Sequence, residues 1–198
     1  MITRRALLAS ATLLVSCARP PAAQEEQLPD FGPLPDFSLT THTGEPFHRA
    51  SLQGNVWIVD FIFTNCTLVC PRMTAEMRKL QLRTAHLPQV RLLSLSIDPD
   101  RDTVPVLNAY AALHHADPQR WLFLTGAKPV IRRIQEATQR HLDPEEFTAH
   151  SKQFYLVDGA GFVRGVYSVV QPTALDDLLH DIPKLLRNPR KPEPDPNP

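Results

Sequence analysis

The run Val56-Trp57-Ile58-Val59-Asp60-Phe61-Ile62-Phe63 constrains the fold most, because it is apolar almost without interruption. A strand with one wet face alternates apolar and polar residues. A continuous apolar run needs cover on both faces, as in an interior strand with helices on either side of the sheet. The pattern changes at Pro71. Met73, Met77, Leu80 and Leu87 fit a helical stripe, and proline suits a first turn, where its missing N–H has no intrahelical partner to lose. Cys66 and Cys70 lie between strand and helix. The stretch that dictates the fold therefore also places two thiols at a strand-to-helix junction.

The same reading continues along the chain. Arg91–Asp98 and Trp121–Leu124 read as further strands. Helices are expected around Thr103–His115 and through Val130, Ile134 and Ala137. Gln153–Val157 and Phe162–Tyr167 flank Asp158-Gly159-Ala160-Gly161, a hairpin turn. A last helix carries Leu175, Leu178, Leu179, Ile182 and Leu186, with Pro183 inside it. The order β-α-β-α-β-α-β-β-α predicts a three-layer α/β sandwich. Its mixed central sheet has parallel strands joined by crossovers, then a C-terminal β-hairpin plus helix. Thioredoxin-like domains have this layout, and sites in such sheets form at the carboxyl ends of strands.

The ends of the chain differ in composition from the middle. Residues 1–17 (MITRRALLASATLLVSC) have a charged start, a short apolar run and small residues near the end. They read as a signal or lipoprotein anchor segment, the apolar run being too short to span a bilayer. Leu14-Val15-Ser16-Cys17 resembles the lipobox of bacterial lipoproteins, which implies lipidation at Cys17. The adjacent Arg4 and Arg5 also fit twin-arginine export. Residues 18–34 read as a Pro-rich tether and residues 188–198 as a disordered Pro-rich tail. A single domain over residues 35–187 remains. The chain's net charge of zero gives no sign of a nucleic-acid partner. Membrane association is expected through the N-terminal anchor only. The expected location is the periplasmic side of the bacterial cell envelope.

Export sharpens the question of the cysteines, because disulfides persist in an oxidising space. With Cys17 lipidated, Cys66 and Cys70 are the only thiols left to the folded domain. Their spacing puts both on one side of a helical turn. A helix N-terminus favours thiolates, so a lowered thiol pKa is expected there. Three readings stand open: a structural disulfide, a redox couple and a pair of metal ligands. Thioredoxin-type couples have two residues between the thiols, and this chain has three. A peroxiredoxin site needs a proline that is Phe63 here, although Thr67 stands correctly before Cys70. A metal site needs a third ligand. Among eight histidines, His150 stands out, because it precedes the strand Gln153–Val157. In a thioredoxin-like fold the loop into that strand faces the strand-to-helix junction. Two thiolates and one imidazole form a soft, low-coordinate set that suits Cu(I), or Cu(II) with a fourth ligand. Structural zinc normally needs four protein ligands. Met73 and Met77 are expected in the core rather than on the metal.

Four short motifs in order resemble the Sco/SenC family of copper-binding thioredoxin-like proteins, which take part in cytochrome c oxidase assembly. They are Leu34-Pro35-Asp36-Phe37-Ser38-Leu39 with Gly44-Glu45-Pro46-Phe47, Val59–Thr64 running into Cys66-x-x-x-Cys70-Pro71, Ser96–Thr103, and His150-Ser151 before Phe154–Asp158. The resemblance implies a copper chaperone of the cell envelope with Cys66, Cys70 and His150 as ligands. It implies delivery to the dinuclear copper centre in the copper-accepting subunit of cytochrome c oxidase. Another periplasmic copper chaperone or a thioredoxin-like reductase are further expected partners. Asp98 is the family's acidic residue near the site, although a strand-end turn before Pro99 accounts for it equally well. No turnover enzyme is expected. The rival is an envelope thiol-disulfide oxidoreductase using Cys66 and Cys70, which includes reduction of the oxidase's copper-site cysteines. Two positions depart from the family pattern. Thr67 replaces the proline after the first cysteine, and Ala149 replaces the aspartate before the histidine.

Overall fold

The computed structural model describes residues 27–67, 69–140, 142 and 152–190. Its elements in chain order are β1 (Ser38–Thr41), β2 (Pro46–His48), a short 3-10 turn (Arg49–Leu52), β3 (Val56–Ile62) and α1 (Cys70–Arg83). Then follow β4 (Val90–Ser96), α2 (Val104–Leu113), β5 (Trp121–Thr125), α3 (Lys128–Gln139), β6 (Gln153–Val157), β7 (Val163–Ser168) and α4 (Ala174–Arg187). The seven strands form one sheet in the order β2-β1-β5-β4-β3-β6-β7. β3, β4 and β5 are parallel, and β1, β6 and β7 pair antiparallel with their neighbours.

β3 is central and buried at every position, as its apolar run requires. Its side chains alternate between two cores. Val56, Ile58 and Ile62 face Met73, Met77 and Leu80 of α1, Leu107 and Ala111 of α2, and Leu178 and Ile182 of α4. Trp57, Val59 and Phe61 face Ile131 and Ile134 of α3, with Leu39 and Phe47 from the first two strands. Helices thus cover both faces, and the three-layer thioredoxin-like sandwich is the architecture found. Met73 and Met77 are fully buried core residues.

Two strands were not expected from the pattern. β1 and β2 form a hairpin on the far edge, closed by Gly44 at φ +91°, a conformation that favours glycine. They are four and three residues long, too short to show a period. The N-terminal approach to the domain is also packed. Phe31 N–H donates to the Val163 carbonyl, Val163 N–H to Gly32 and Leu34 N–H to Gly161. Leu34 is buried, so packing on the hairpin begins before residue 35.

Candidate metal-binding thiol pair

β3 ends at Ile62 and α1 begins at Cys70. Between them Cys66 N–H donates to the Phe63 carbonyl at 3.2 Å, closing a tight turn around Thr64 and Asn65. Cys70 opens the helix, Val69 is its N-cap without a side-chain cap bond, and Pro71 occupies the first turn. The first amides of a helix lack internal acceptors. One of them is met by sulfur: Cys70 N–H donates to Cys66 Sγ at 3.4 Å. No disulfide joins the two cysteines, and this bond brings the Cys66 sulfur against the start of the helix that carries Cys70.

The two thiols differ. Cys66 is partly exposed and Cys70 is buried. Burial pushes the Cys70 thiol up to about 12, and hydrogen bonding and charge at Cys66 and the charge of Asp60 add to the effect, against a backbone bond at Phe63. The helix N-terminus was expected to lower the thiol pKa. At Cys70, desolvation outweighs it. A soft cation that replaces the proton supplies the missing counter-charge, since a coordinated thiol is deprotonated.

Beneath α1 lies a buried polar cluster on the same face of the sheet. Asp60 is fully buried, and Ser94 Oγ donates to its Oδ1 at 2.6 Å. Trp121 Nε1 donates to Ser94 Oγ at 3.0 Å. Asp60 Oδ2 has no partner among the described residues. Burial pushes the carboxyl up to about 7, against the Ser94 bond. Thr74 Oγ1 and Tyr110 Oη are 2.9 Å apart.

Asp98 lies at the turn after β4. Its backbone N–H donates to Ser96 Oγ, and its carboxylate pairs with Arg101 at 3.0 Å. A second acidic side chain, Asp102, is almost wholly buried and reaches the cysteine turn. Thr64 Oγ1 donates to its Oδ1 at 2.5 Å, and Thr64 N–H lies 3.3 and 3.2 Å from its two oxygens. Ser96 Oγ donates to Oδ2 at 2.5 Å. Sequence reasoning missed Asp102 and Asp60. A lone charge within the apolar run of β3 was the available signal for Asp60.

His150 and Cys17 lie outside the described residues. Among the described residues no three His, Cys, Asp or Glu side chains form a metal-binding group. His42 is buried and structural: its Nδ1 accepts from Phe123 N–H at 3.2 Å. The start of β6 is placed. Tyr155 pairs with Val59 and Val157 with Trp57 in an antiparallel register, so Gln153 lies toward the carboxyl end of β3, where the cysteine turn leaves the sheet.

The family profile described as SCO1/SenC matches residues 25–187. The SCO1 protein homolog of Bacillus subtilis (strain 168) is 35% identical over 152 residues, covering 74% of this chain and 79% of that protein. The structure of BsSco, described as a member of the Sco family of cytochrome c oxidase assembly proteins with a disulfide switch, is 32% identical with a TM-score of 0.72. That match covers 84% of this chain and 99% of the other. The structure of a SCO1/SenC family lipoprotein from Bacillus anthracis str. Ames is 34% identical with a TM-score of 0.69, covering 78% and 95%.

Proposed function

The chain belongs to the SCO1/SenC family, and from that premise we propose that it holds one copper ion through Cys66, Cys70 and His150. We read its role as passing that copper by ligand exchange to the copper-accepting subunit of cytochrome c oxidase. Sco proteins are copper-binding factors of oxidase assembly, and copper occupies solved members of the family. The proposed working state is an exported domain anchored by lipid at Cys17, in keeping with the relative described as a lipoprotein.

The observation that carries the reading is the Cys66 sulfur drawn against the Cys70 amide at the carboxyl edge of β3. Thiolates are soft donors matched to Cu(I), and one more ligand from a neighbouring loop completes a three-coordinate site. β6 begins at that edge. His150 precedes Gln153 closely enough that the chain between them spans no more than about 10 Å. Three ligands leave a copper ion open to an incoming thiolate or imidazole of the acceptor. Release can then proceed one ligand at a time without a bare ion.

The test is anaerobic Cu(I) titration of the full chain beside Cys66→Ser, Cys70→Ser and His150→Ala. One tight equivalent is expected for the parent and weaker binding for all three variants. Undiminished affinity in His150→Ala would contradict the three-ligand site.

A second reading has its own observation, the asymmetry of the pair. A partly exposed Cys66 beside a buried Cys70 with a raised pKa fits an attacking and a resolving thiol. In such a step the Cys66 thiolate attacks a disulfide of the acceptor subunit and one acceptor sulfur leaves as a thiol. Cys70 then displaces the second. Two electrons and two protons pass to the acceptor, and Cys66–Cys70 becomes the disulfide. Loss of His150 would leave this activity intact, which separates the two readings.

A further inference from the structure

We propose that Asp102 is the positioning residue of the cysteine turn, setting through Thr64 where the Cys66 sulfur stands relative to Cys70. The inference deepens the reading of Cys66 and Cys70 as one working pair and rests on it.

The Asp102 carboxylate joins three pieces of chain that are distant in sequence. Thr64 gives it a hydroxyl and an amide hydrogen from the end of β3. Ser96 gives it a hydroxyl from the end of β4. Its own backbone N–H donates to the Asp98 carbonyl at 2.9 Å, closing the turn that leads to α2. Ser96 Oγ in turn accepts from Asp98 N–H at 3.1 Å. The parallel pairing of β3 and β4 ends at Ile62 and Ser96, so the carboxylate continues the strand pairing past the point where backbone bonds stop.

What it continues into is the turn that bears Cys66. Thr64 is the first residue inside the turn closed by Cys66 N–H and the Phe63 carbonyl. Further along, Cys70 N–H donates to Cys66 Sγ. A line of contacts therefore runs from Asp102 to Thr64, around the turn to Cys66, and on to the first residue of α1. A buried carboxylate is stable only while its oxygens accept hydrogen bonds. Asp102 thus fixes Thr64 in place rather than touching it incidentally. An asparagine there would set an amide N–H against the Thr64 or Ser96 donors, and the turn would have to shift to relieve the conflict.

In metal sites, partners that orient a ligand alter metal affinity or activity by about 10- to 100-fold when removed, and a shift of similar order is expected for the thiol pair held through Thr64. The test uses the full chain and a readout that needs no metal. Cys66 and Cys70 are equilibrated with oxidised and reduced glutathione, two thiols and one oxidised glutathione giving the Cys66–Cys70 disulfide and two reduced glutathiones. The oxidised fraction is read by mass spectrometry of the peptide holding both cysteines. Asp102→Asn and Thr64→Val are compared with Thr64→Ser, which keeps both donors. They are also compared with Thr84→Val, which removes a buried hydroxyl bonded to Leu80 at the far end of α1.

Asp102→Asn and Thr64→Val should shift the equilibrium constant about tenfold or more, while Thr64→Ser and Thr84→Val stay within about threefold of the parent. If Asp102→Asn fails to fold, the contrast between Thr64→Val and Thr64→Ser carries the test. Constants within threefold for Thr64→Val, or a shift that Thr84→Val reproduces, would overturn the proposal. Cu(I) titration of the parent alone, run in parallel, reports separately on the copper reading. Its failure leaves the glutathione result standing.

Discussion

Asp60 and Cys70 are two buried acids close to one site, and burial acts on both in the same direction. Between its unfolded value of 3.8 and its folded value of about 7, Asp60 keeps its proton in the folded chain and loses it in the unfolded one. Unfolding then releases a proton, so stability falls as pH rises through that window. The slope from this one group reaches about 1.4 kcal/mol per pH unit. Among the described residues, the ionisable groups that feel its charge are Cys70 and Tyr110, both pushed up to about 12, and neither titrates in the window. Urea unfolding between pH 4 and 7 should show the parent losing stability relative to Asp60→Asn. A difference that stays flat across the window would contradict the assignment. Alkylation of the metal-free, reduced chain should modify the partly exposed Cys66 well before the buried Cys70, as timed mass spectrometry can show.

At the scale of elements, α1 transmits the site's geometry to the core. Met77 is fully buried among residues of β3, β4 and α4. Truncation at Met77→Ala is expected to cost about 2–5 kcal/mol in chemical unfolding. α1 was legible in the sequence because its apolar stripe follows an eight-residue apolar run and has a proline in its first turn. α2 and α3 open the same way, with Pro105 and Pro129 in their first turns. β3 was legible because both its faces are buried, so its apolar content does not depend on guessing which side is wet. β1 and β2 were not legible as strands. Each holds only one or two buried residues, and β1 joins the sheet through β5, which lies far along the chain. The Thr64–Asp102 contact spans 38 residues, and no local periodicity carries such information. Asp98 drew attention by its place in a motif, yet Asp102 in the same motif makes the contact.

At the scale of the whole molecule, the two ends of the domain meet on the β6–β7 hairpin. Arg164 donates to the Leu28 and Pro29 carbonyls and pairs with buried Asp158 at 3.1 Å. Asp158 also accepts from Ala160 and Phe162 N–H, which shapes the turn. From the C-terminal side, Arg190 pairs with Asp30 and lies 3.8 Å over the Phe162 ring. It holds the Asp30 carboxyl below its usual range. Arg164→Ala removes the closest cation from a buried carboxylate, an event that costs about 3 kcal/mol or more. Hydrogen exchange should quicken at Phe31 and Leu34, whose amides bond to the hairpin. The thiol pair, at the carboxyl end of β3, should keep its alkylation order, because the hairpin turn lies at the opposite end of that strand.

We propose that two thiols and one imidazole hold copper in this chain. X-ray absorption of the full chain loaded with one Cu(I) counts those donors directly. Two sulfur donors and one imidazole nitrogen per copper are expected, with the nitrogen lost in His150→Ala. A sulfur-only shell, or an imidazole signal that survives in His150→Ala, would contradict it.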